Sequence, residues 1–399
     1  MISYETSQQI METLSVGHLK RERVFLTQSL GRILAQACVA SSDFPTHPTS
    51  AMDGYAIMHS DLASYTSLAI LGDNPAGAKE VGSVVSAMAI KTFTGSLMPQ
   101  GADTLIPIEN VRVEGSTIHI EKPVPQGFAV RPVGESYHAG DVLIPTGTKI
   151  GFAHIGVLAG INQVMVWVAQ RPKVAIIATG CELLDLGETA HHAGQIRSSN
   201  NYTLQALVEL YGGESVQLGI VGDDKESITQ RFETALQSCD IVISTGGVSV
   251  GDYDFVKEIV PALGAKVVFQ GVNIKPGQHV MVAQKGDKFI VSLPGFAYSS
   301  SVTFILYALP LMARMMGVET LYEVVEATLS VPFTKRSSKS EFTACNLTFR
   351  EGRYWVDFEG KKTGSSAILT NLLGNTGLMI CHETDGHLEA GSVVKVIKL

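Results

Sequence analysis

The 399-residue chain has little from which to build a disulfide or zinc framework. Its five cysteines, Cys38, Cys181, Cys239, Cys345 and Cys381, are scattered and form no CxxC pair. That pattern excludes a stapled secreted scaffold and fits free thiols in a reducing compartment. Basic charge is also in deficit, with 30 Lys and Arg against 38 Asp and Glu and a net charge of −8. Phosphate backbones are held by clustered cations, so no nucleic-acid partner is expected. Long apolar runs are missing too. The most hydrophobic stretch, 302–316, is too short to span a bilayer and contains Pro310 and Arg314. The N-terminal segment lacks the continuous apolar core of a signal peptide. No membrane partner is expected, and a soluble, cytoplasmic chain is. There is no internal repeat and no low-complexity tract.

What is present is apolar material, 45% of residues against 17% charged, enough for several buried cores. The length predicts about two to four domains. Ser3 reads as the N-cap of a helix over 4–16, with Ile10, Met11 and Leu14 at helical spacing. From Val24 to about Val168, short runs such as TLIPIENVRV and STIHIEKPVP are broken by Gly and Pro, with no long helical pattern. This half reads as strands and hairpins, closing with DVLIPTGTKI and VMVWVAQ. At Arg171-Pro172 the rhythm becomes strand–helix alternation. KVAIIAT (173–179) is nearly all apolar, as a strand covered on both faces must be. Next come a helix over 202–211, the strand SVQLGIV, a helix over 225–236, the strand DIVIS, the helix DFVKEIVPAL and the strand KVVFQ. KFIVSL and a long helix over 298–316 close a doubly wound α/β domain. Beyond Gly317, VVEATLSV, YWVDFE and VVKVIK predict a small β domain.

In an open α/β sheet, ligands bind beyond the carboxyl ends of the strands. Four loops fall there: TGCEL (179–183), VGDD (221–224), STGGVSVGDYD (244–254) and SLPGFA (292–297). They carry Glu182, Asp223, Asp224, Asp252 and Asp254. Gly246 and Gly247 would let consecutive backbone N–H groups face an anion, with Ser249 adding a hydroxyl. Carboxylates gathered around a phosphate suit Mg2+, a hard cation that takes oxygen ligands. Each feature has a plainer reading. Asp224 and Asp252 each precede a helix and serve equally as caps; Cys181 is a small loop residue as readily as a reactive one; His191-His192 has no third ligand in register. PTSAMDGYAI (48–57) reads either as a functional loop or as a tight turn with Asp53 at its corner. In TGSLMPQGAD (94–103), Thr94 is either a cap or a ligand.

Taken together, SYE (3–5), GRILA (31–35), SAMDGYA (50–56), TGSLMPQGAD (94–103), RPVGE (131–135), ATGCEL (178–183), TGGVSVGDYD (245–254), KPG (275–277), LPG (293–295) and GSSAILTNLLGN (364–375) resemble the MoeA family of molybdopterin molybdenumtransferases, which includes the gephyrin E-domain. The resemblance runs over essentially the whole chain. It implies a helix-plus-linker domain from 1–39 and 141–170, an inserted β-rich domain over 40–140, a molybdopterin-binding α/β domain over 171–317 and a C-terminal β-barrel-like domain over 318–399. It implies a homodimer that takes adenylylated molybdopterin and molybdate, releases AMP with Mg2+, and has the molybdopterin adenylyltransferase as a partner. By motif, Glu182, Asp223 and Asp254 match the acidic, metal-handling site. Gly246, Gly247 and Ser249 match the phosphate cradle. Asp53 and Thr94 match residues lent by a second subunit, and Lys275, Pro294 and Ser365 match pterin-side positions. The chain departs from the family at Ser136 (GES for GED), Cys181 (GCEL for GDEL), Gln278-His279 (KPGQH for KPGKP) and Phe296-Ala297 (LPGFA for LPGNP). These losses set a second expectation beside the enzyme, a pterin-binding carrier or scaffold with weakened catalysis.

Overall fold

The structure is a computed structural model that describes residues 1–248 and 254–399. Two compact units are present: Met1–Ala35 with Met165–Leu399, and Gln36–Val164.

The larger unit is organised by the strand Lys173–Thr179. Val174 to Ala178 are fully buried, as the apolar run demands. Val174 and Ile176 pack into the cluster holding Leu204, Val208 and the helical residues 302–316. Ala175 and Ile177 pack with Ile228, Phe232 and Ile259 on the opposite face. Alternate side chains therefore enter two different cores, and each buried Ile contributes about 1.5–3 kcal/mol. The six-stranded sheet runs Glu214–Val221, Lys173–Thr179, Ile241–Thr245, Lys288–Leu293, Met281–Lys285, Lys266–Gln270. The first four are parallel and the last two antiparallel. Helices Asn200–Leu210, Lys225–Ser238 and Val256–Ala262 follow the expected order.

The expected long helix is Ala297–Thr303 and Leu309–Met315 joined by a π turn, Phe304–Ala308. Pro310 lacks the N–H that an uninterrupted α ladder needs, and the wider turn just before it resets the register. The first helix is Tyr4–Thr13, with Ser3 Oγ accepting from the Thr6 amide at 3.1 Å. Arg314 donates to the carbonyls of Met11 and Leu14, each at 2.6 Å, satisfying acceptors that a helix end leaves orphaned.

The C-terminal strands close into a five-stranded barrel. Glu323–Leu329 lies between Arg353–Asp357 and Val393–Lys398, and Ser340–Arg350 pairs both Arg353–Asp357 and Thr376–Cys381. The short strand Ile274–Lys275 leaves the α/β layer and pairs with Ser340–Glu341.

Gln36–Val164 contains a six-stranded sheet in the order Thr104–Pro107, Gly54–Ile57, Met88–Thr92, Ser67–Asn74, Thr117–Ile120, Val111–Glu114. Its core is Tyr55, Ile57, Leu68, Ile106 and Ile118. The odd PTSAMDGYAI segment enters this sheet at Gly54–Ile57, after a bend from Thr49–Ser50, which pairs with Val130–Arg131 in a separate two-stranded sheet. A Cβ on Gly54 would lie 2.3 Å from the Ile106 carbonyl oxygen, so only glycine fits there.

Two elements correct the sequence reading. Phe152–Gly160 is an α-helix within the half read as strands. Its sequence FAHIGVLAG buries only Leu158, so no apolar stripe marks it. Met281–Lys285 was not foreseen, yet its cue is present: Gly286-Asp287 is a two-residue link to Lys288–Leu293, with Lys285 opposite Lys288. That hairpin makes the sheet mixed. Among the described residues no helix is long and apolar enough to cross a membrane.

Candidate active site

At the carboxyl edge of the parallel strands lies a cleft of about 350 Å³, within the usual ligand-pocket range of about 300–1,000 Å³. Three of the four expected loops line it. Glu182 comes from the first, Gly246 and Gly247 from the third with Asp254 at its far end, and Pro294, Gly295 and Phe296 from the fourth. The strand order explains this convergence, because Thr179, Thr245 and Leu293 end adjacent parallel strands.

The glycine turn is forced by close packing. Gly246 has φ +88°, and a Cβ there would meet the Thr179 carbonyl oxygen at 2.8 Å. Gly247 has φ +68°, and its Cβ would meet Val256 Cγ2 at 2.7 Å. One detail of the expected cradle is corrected. The Gly246 amide donates to the Leu293 carbonyl at 3.2 Å, so it is committed to the sheet rather than to an anion. Ser249 and Asp252 lie outside the described residues.

The expected trio Glu182, Asp223 and Asp254 is not assembled as a trio. Glu182 and Asp254 line the cleft. Asp223 Oδ2 accepts from the Cys181 amide at 3.1 Å, and its own amide donates to Cys181 Sγ at 3.3 Å. The carboxylate latches two loops together, which uses a lone pair that a metal would take. Among the described residues no group of three or more His, Cys, Asp or Glu stands close enough to hold a metal ion. Asp224 is the cap of the helix Lys225–Ser238, accepting from the Ser227 amide at 2.8 Å.

The pterin-side residues separate. Pro294 lines the cleft, whereas Lys275 and Ser365 line a smaller cavity beside the barrel, with Tyr298 and Glu341. Glu341 is 6% exposed in its side chain; Lys275 Nζ lies 3.7 Å from it and Ser337 donates to it at 2.7 Å. In the other unit, Asp53 and Thr94 are brought together. Both the Thr94 hydroxyl (2.6 Å) and the Thr94 amide (2.7 Å) donate to Asp53 Oδ1. Those two hydrogen bonds, the hydroxyl's first, hold the Asp53 carboxyl below its ordinary value.

Sequence reasoning missed Ile196, Asn200 and His279 as cleft residues. Asn200 opens the helix Asn200–Leu210, and its amide donates to the Gly295 carbonyl at 2.7 Å, pinning the fourth loop. The signal was local: Ser198-Ser199-Asn200 is a helix-start pattern whose buried polar atoms need partners. Burial first, then Lys257 and Lys339, pushes the His279 imidazole below its usual value, with Asp254 pulling the other way.

The site is thus a glycine turn and two carboxylates at the carboxyl edge of a mixed α/β sheet. The family model "Probable molybdopterin binding domain" matches residues 175–314. Flanking it, "MoeA N-terminal region (domain I and II)" matches 2–161 and "MoeA C-terminal region (domain IV)" matches 326–399. A molybdopterin molybdenumtransferase of Nostoc sp. is 34% identical over 396 residues, covering 95% of this chain and 88% of its own. One from Staphylococcus epidermidis is 31% identical, covering 95% and 91%. The crystal structure of the molybdopterin biosynthesis moeA protein from Pyrococcus horikoshii OT3 superposes with a TM-score of 0.85 at 28% identity, covering all of both chains. The chain belongs to the MoeA family of molybdopterin molybdenumtransferases.

Proposed function

We propose that this protein inserts molybdenum from molybdate into adenylylated molybdopterin, releasing AMP, with Mg2+ as cofactor. The observation that carries the reading is the meeting of Glu182, Gly246, Gly247, Asp254 and Pro294 in one cleft. Backbone at the glycine turn suits a phosphate. Glu182 and Asp254 offer the hard oxygen donors that Mg2+ prefers, and two protein carboxylates suffice for an ion that completes its shell with water and substrate phosphate. When bound, Mg2+ would neutralise charge on the phosphoanhydride oxygens. Asp223 then acts as a positioning group, since its latch on Cys181 holds the loop carrying Glu182. Asn200 does the same for Pro294-Gly295. We assign Lys275 and Ser365 to the pterin side, Ser249 to the phosphate, and Asp53 with Thr94 to the contribution of a second subunit. Five free cysteines, four of them buried, support a reducing, cytoplasmic setting.

Purified protein given adenylylated molybdopterin, molybdate and Mg2+ should release AMP; a rate equal to the protein-free control sinks the reading. The absence of a third nearby carboxylate among the described residues favours a second one, a carrier that binds the pterin without turnover. Tight pterin binding with no AMP release would select it. In that case Ser136→Asp with Cys181→Asp should restore release.

We also propose a homodimer. The dimer is the one the family resemblance implies, and we place Phe152, 88% exposed at the start of the helix Phe152–Gly160, at its interface.

A further inference from the structure

Beside the glycine turn and the carboxylates, the cleft has apolar lining. Leu183, Ile196 and Phe296 line it, and Ile196 and Phe296 are 57% and 62% exposed. Single exposed apolar residues are ordinary on any surface. Here they border the same cleft as Gly247, Glu182 and Asp254. Leu183 and Ile196 are direct partners on the parallel ribbon Leu183–Leu184 and Ile196–Arg197, so their side chains share a face. Phe296 is held from both sides. The Gly295 carbonyl before it accepts from Asn200 at 2.7 Å, and its own carbonyl accepts from the Ser300 amide at 2.9 Å. The aromatic ring therefore stands on an anchored loop, and an exposed ring on a fixed backbone is a ready stacking platform.

We propose that Phe296, with Leu183 and Ile196, is the specificity element of the cleft, gripping the flat heteroaromatic ring of a phosphorylated ligand whose anionic end meets the glycine turn. The inference rests on the reading of the cleft as the site of the adenylylated pterin and adds which side chains select the ring. One lining fits an amphipathic ligand, with apolar side chains as jaws for the ring and backbone and carboxylates for the anionic group. A ligand carrying phosphate without a ring leaves the jaws in water and gains nothing from them.

Calorimetric titration with three probes tests this: AMP carries a purine, a phosphorylated 6-hydroxymethylpterin carries the pterin, and ribose 5-phosphate carries neither. At least one ring-bearing probe should bind more tightly than ribose 5-phosphate, and Phe296→Ala should weaken that probe by about 5- to 100-fold, the range of a lost aromatic stack. Ribose 5-phosphate should bind the variant as it binds the parent. The probe that loses affinity identifies which ring the jaws hold. Phe296→Tyr should retain the affinity, and Phe296→Leu, which keeps apolar volume without a ring, should share the loss. Equal binding of all three probes to the parent would overturn the proposal, as would unchanged ring binding in both Phe296→Ala and Phe296→Leu. AMP release by the parent is measured separately, so failure of the transferase reading shows as no turnover, whatever the ring probes do.

Discussion

Replacing Gly246 by alanine should cost binding more than it costs the fold. Two penalties meet at this residue. Its φ of +88° is a region that L residues avoid, at about 1–2 kcal/mol. The new Cβ would also stand 2.8 Å from the Thr179 carbonyl oxygen and 2.9 Å from Thr179 Oγ1, an overpacking that typically costs about 1–3 kcal/mol. Thr179 cannot yield, because it ends the central strand and is paired with Val221. The turn can. Swinging it away breaks the Gly246 amide bond to Leu293, and that hydrogen bond contributes only about 0.5–1.5 kcal/mol. Local rearrangement is therefore the cheaper outcome, with a stability loss near about 1–2 kcal/mol and a Tm lowered by roughly 2–8 °C. The relocated turn no longer faces the cleft, so affinity for AMP should fall at least about tenfold, the equivalent of roughly 1.4 kcal/mol. Gly264→Ala is the control: its φ is +77° and a Cβ there meets nothing within 4 Å, so it reports the backbone penalty alone. Thermal melts and calorimetry on both variants give the answer. If Gly246→Ala melts like Gly264→Ala and binds AMP like the parent, neither the steric argument nor the anion role of the turn survives.

Two further outcomes follow from the other unit. Thr94→Val removes the hydroxyl that donates to Asp53 at 2.6 Å, so the Asp53 carboxyl should titrate closer to an ordinary aspartate. Its folded-state pKa is depressed, so the bond's contribution holds above the unfolded aspartate pKa and fades as pH falls through the folded value; carboxyl NMR shifts from acid to neutral pH would show the midpoint rise, and an unmoved midpoint would remove the Thr94 hydroxyl as the cause. Phe152→Glu, at a residue 88% exposed, should convert a dimer to monomers by light scattering and lower the melt as the stabilisation by association is lost; a parent that is already monomeric would remove the dimer.

How much of this was legible in the sequence depended on whether a residue's task is set locally. KVAIIAT could only be a doubly covered strand, because an unbroken apolar run at an exposed edge would leave its side chains in water. The Gly246-Gly247 turn was legible as glycine but not for its reason: the sequence offered both amides to an anion, whereas packing on Thr179 and Val256 excludes Cβ atoms there and the Gly246 amide bonds Leu293. Division of labour among the carboxylates was legible only for Asp224, whose place before a helix offered the cap it makes. Asp223 and Asp254 look alike in sequence, yet one latches Cys181 and the other lines the cleft. Which acid is taken up as a latch or a cap is decided by which amide hydrogen lies within about 3 Å of it, and that is a property of neighbouring loops. Ile196 was hidden for a related reason. Its strand is two residues long, too short for periodicity, and it lines the cleft beside its partner Leu183. Lys275 and Ser365 carry the complementary lesson: they lie 90 positions apart, and they meet because Ile274–Lys275 crosses over to pair with the barrel strand Ser340–Arg350. A motif identifies a residue's chemistry; the strand that carries it decides which cavity receives that chemistry.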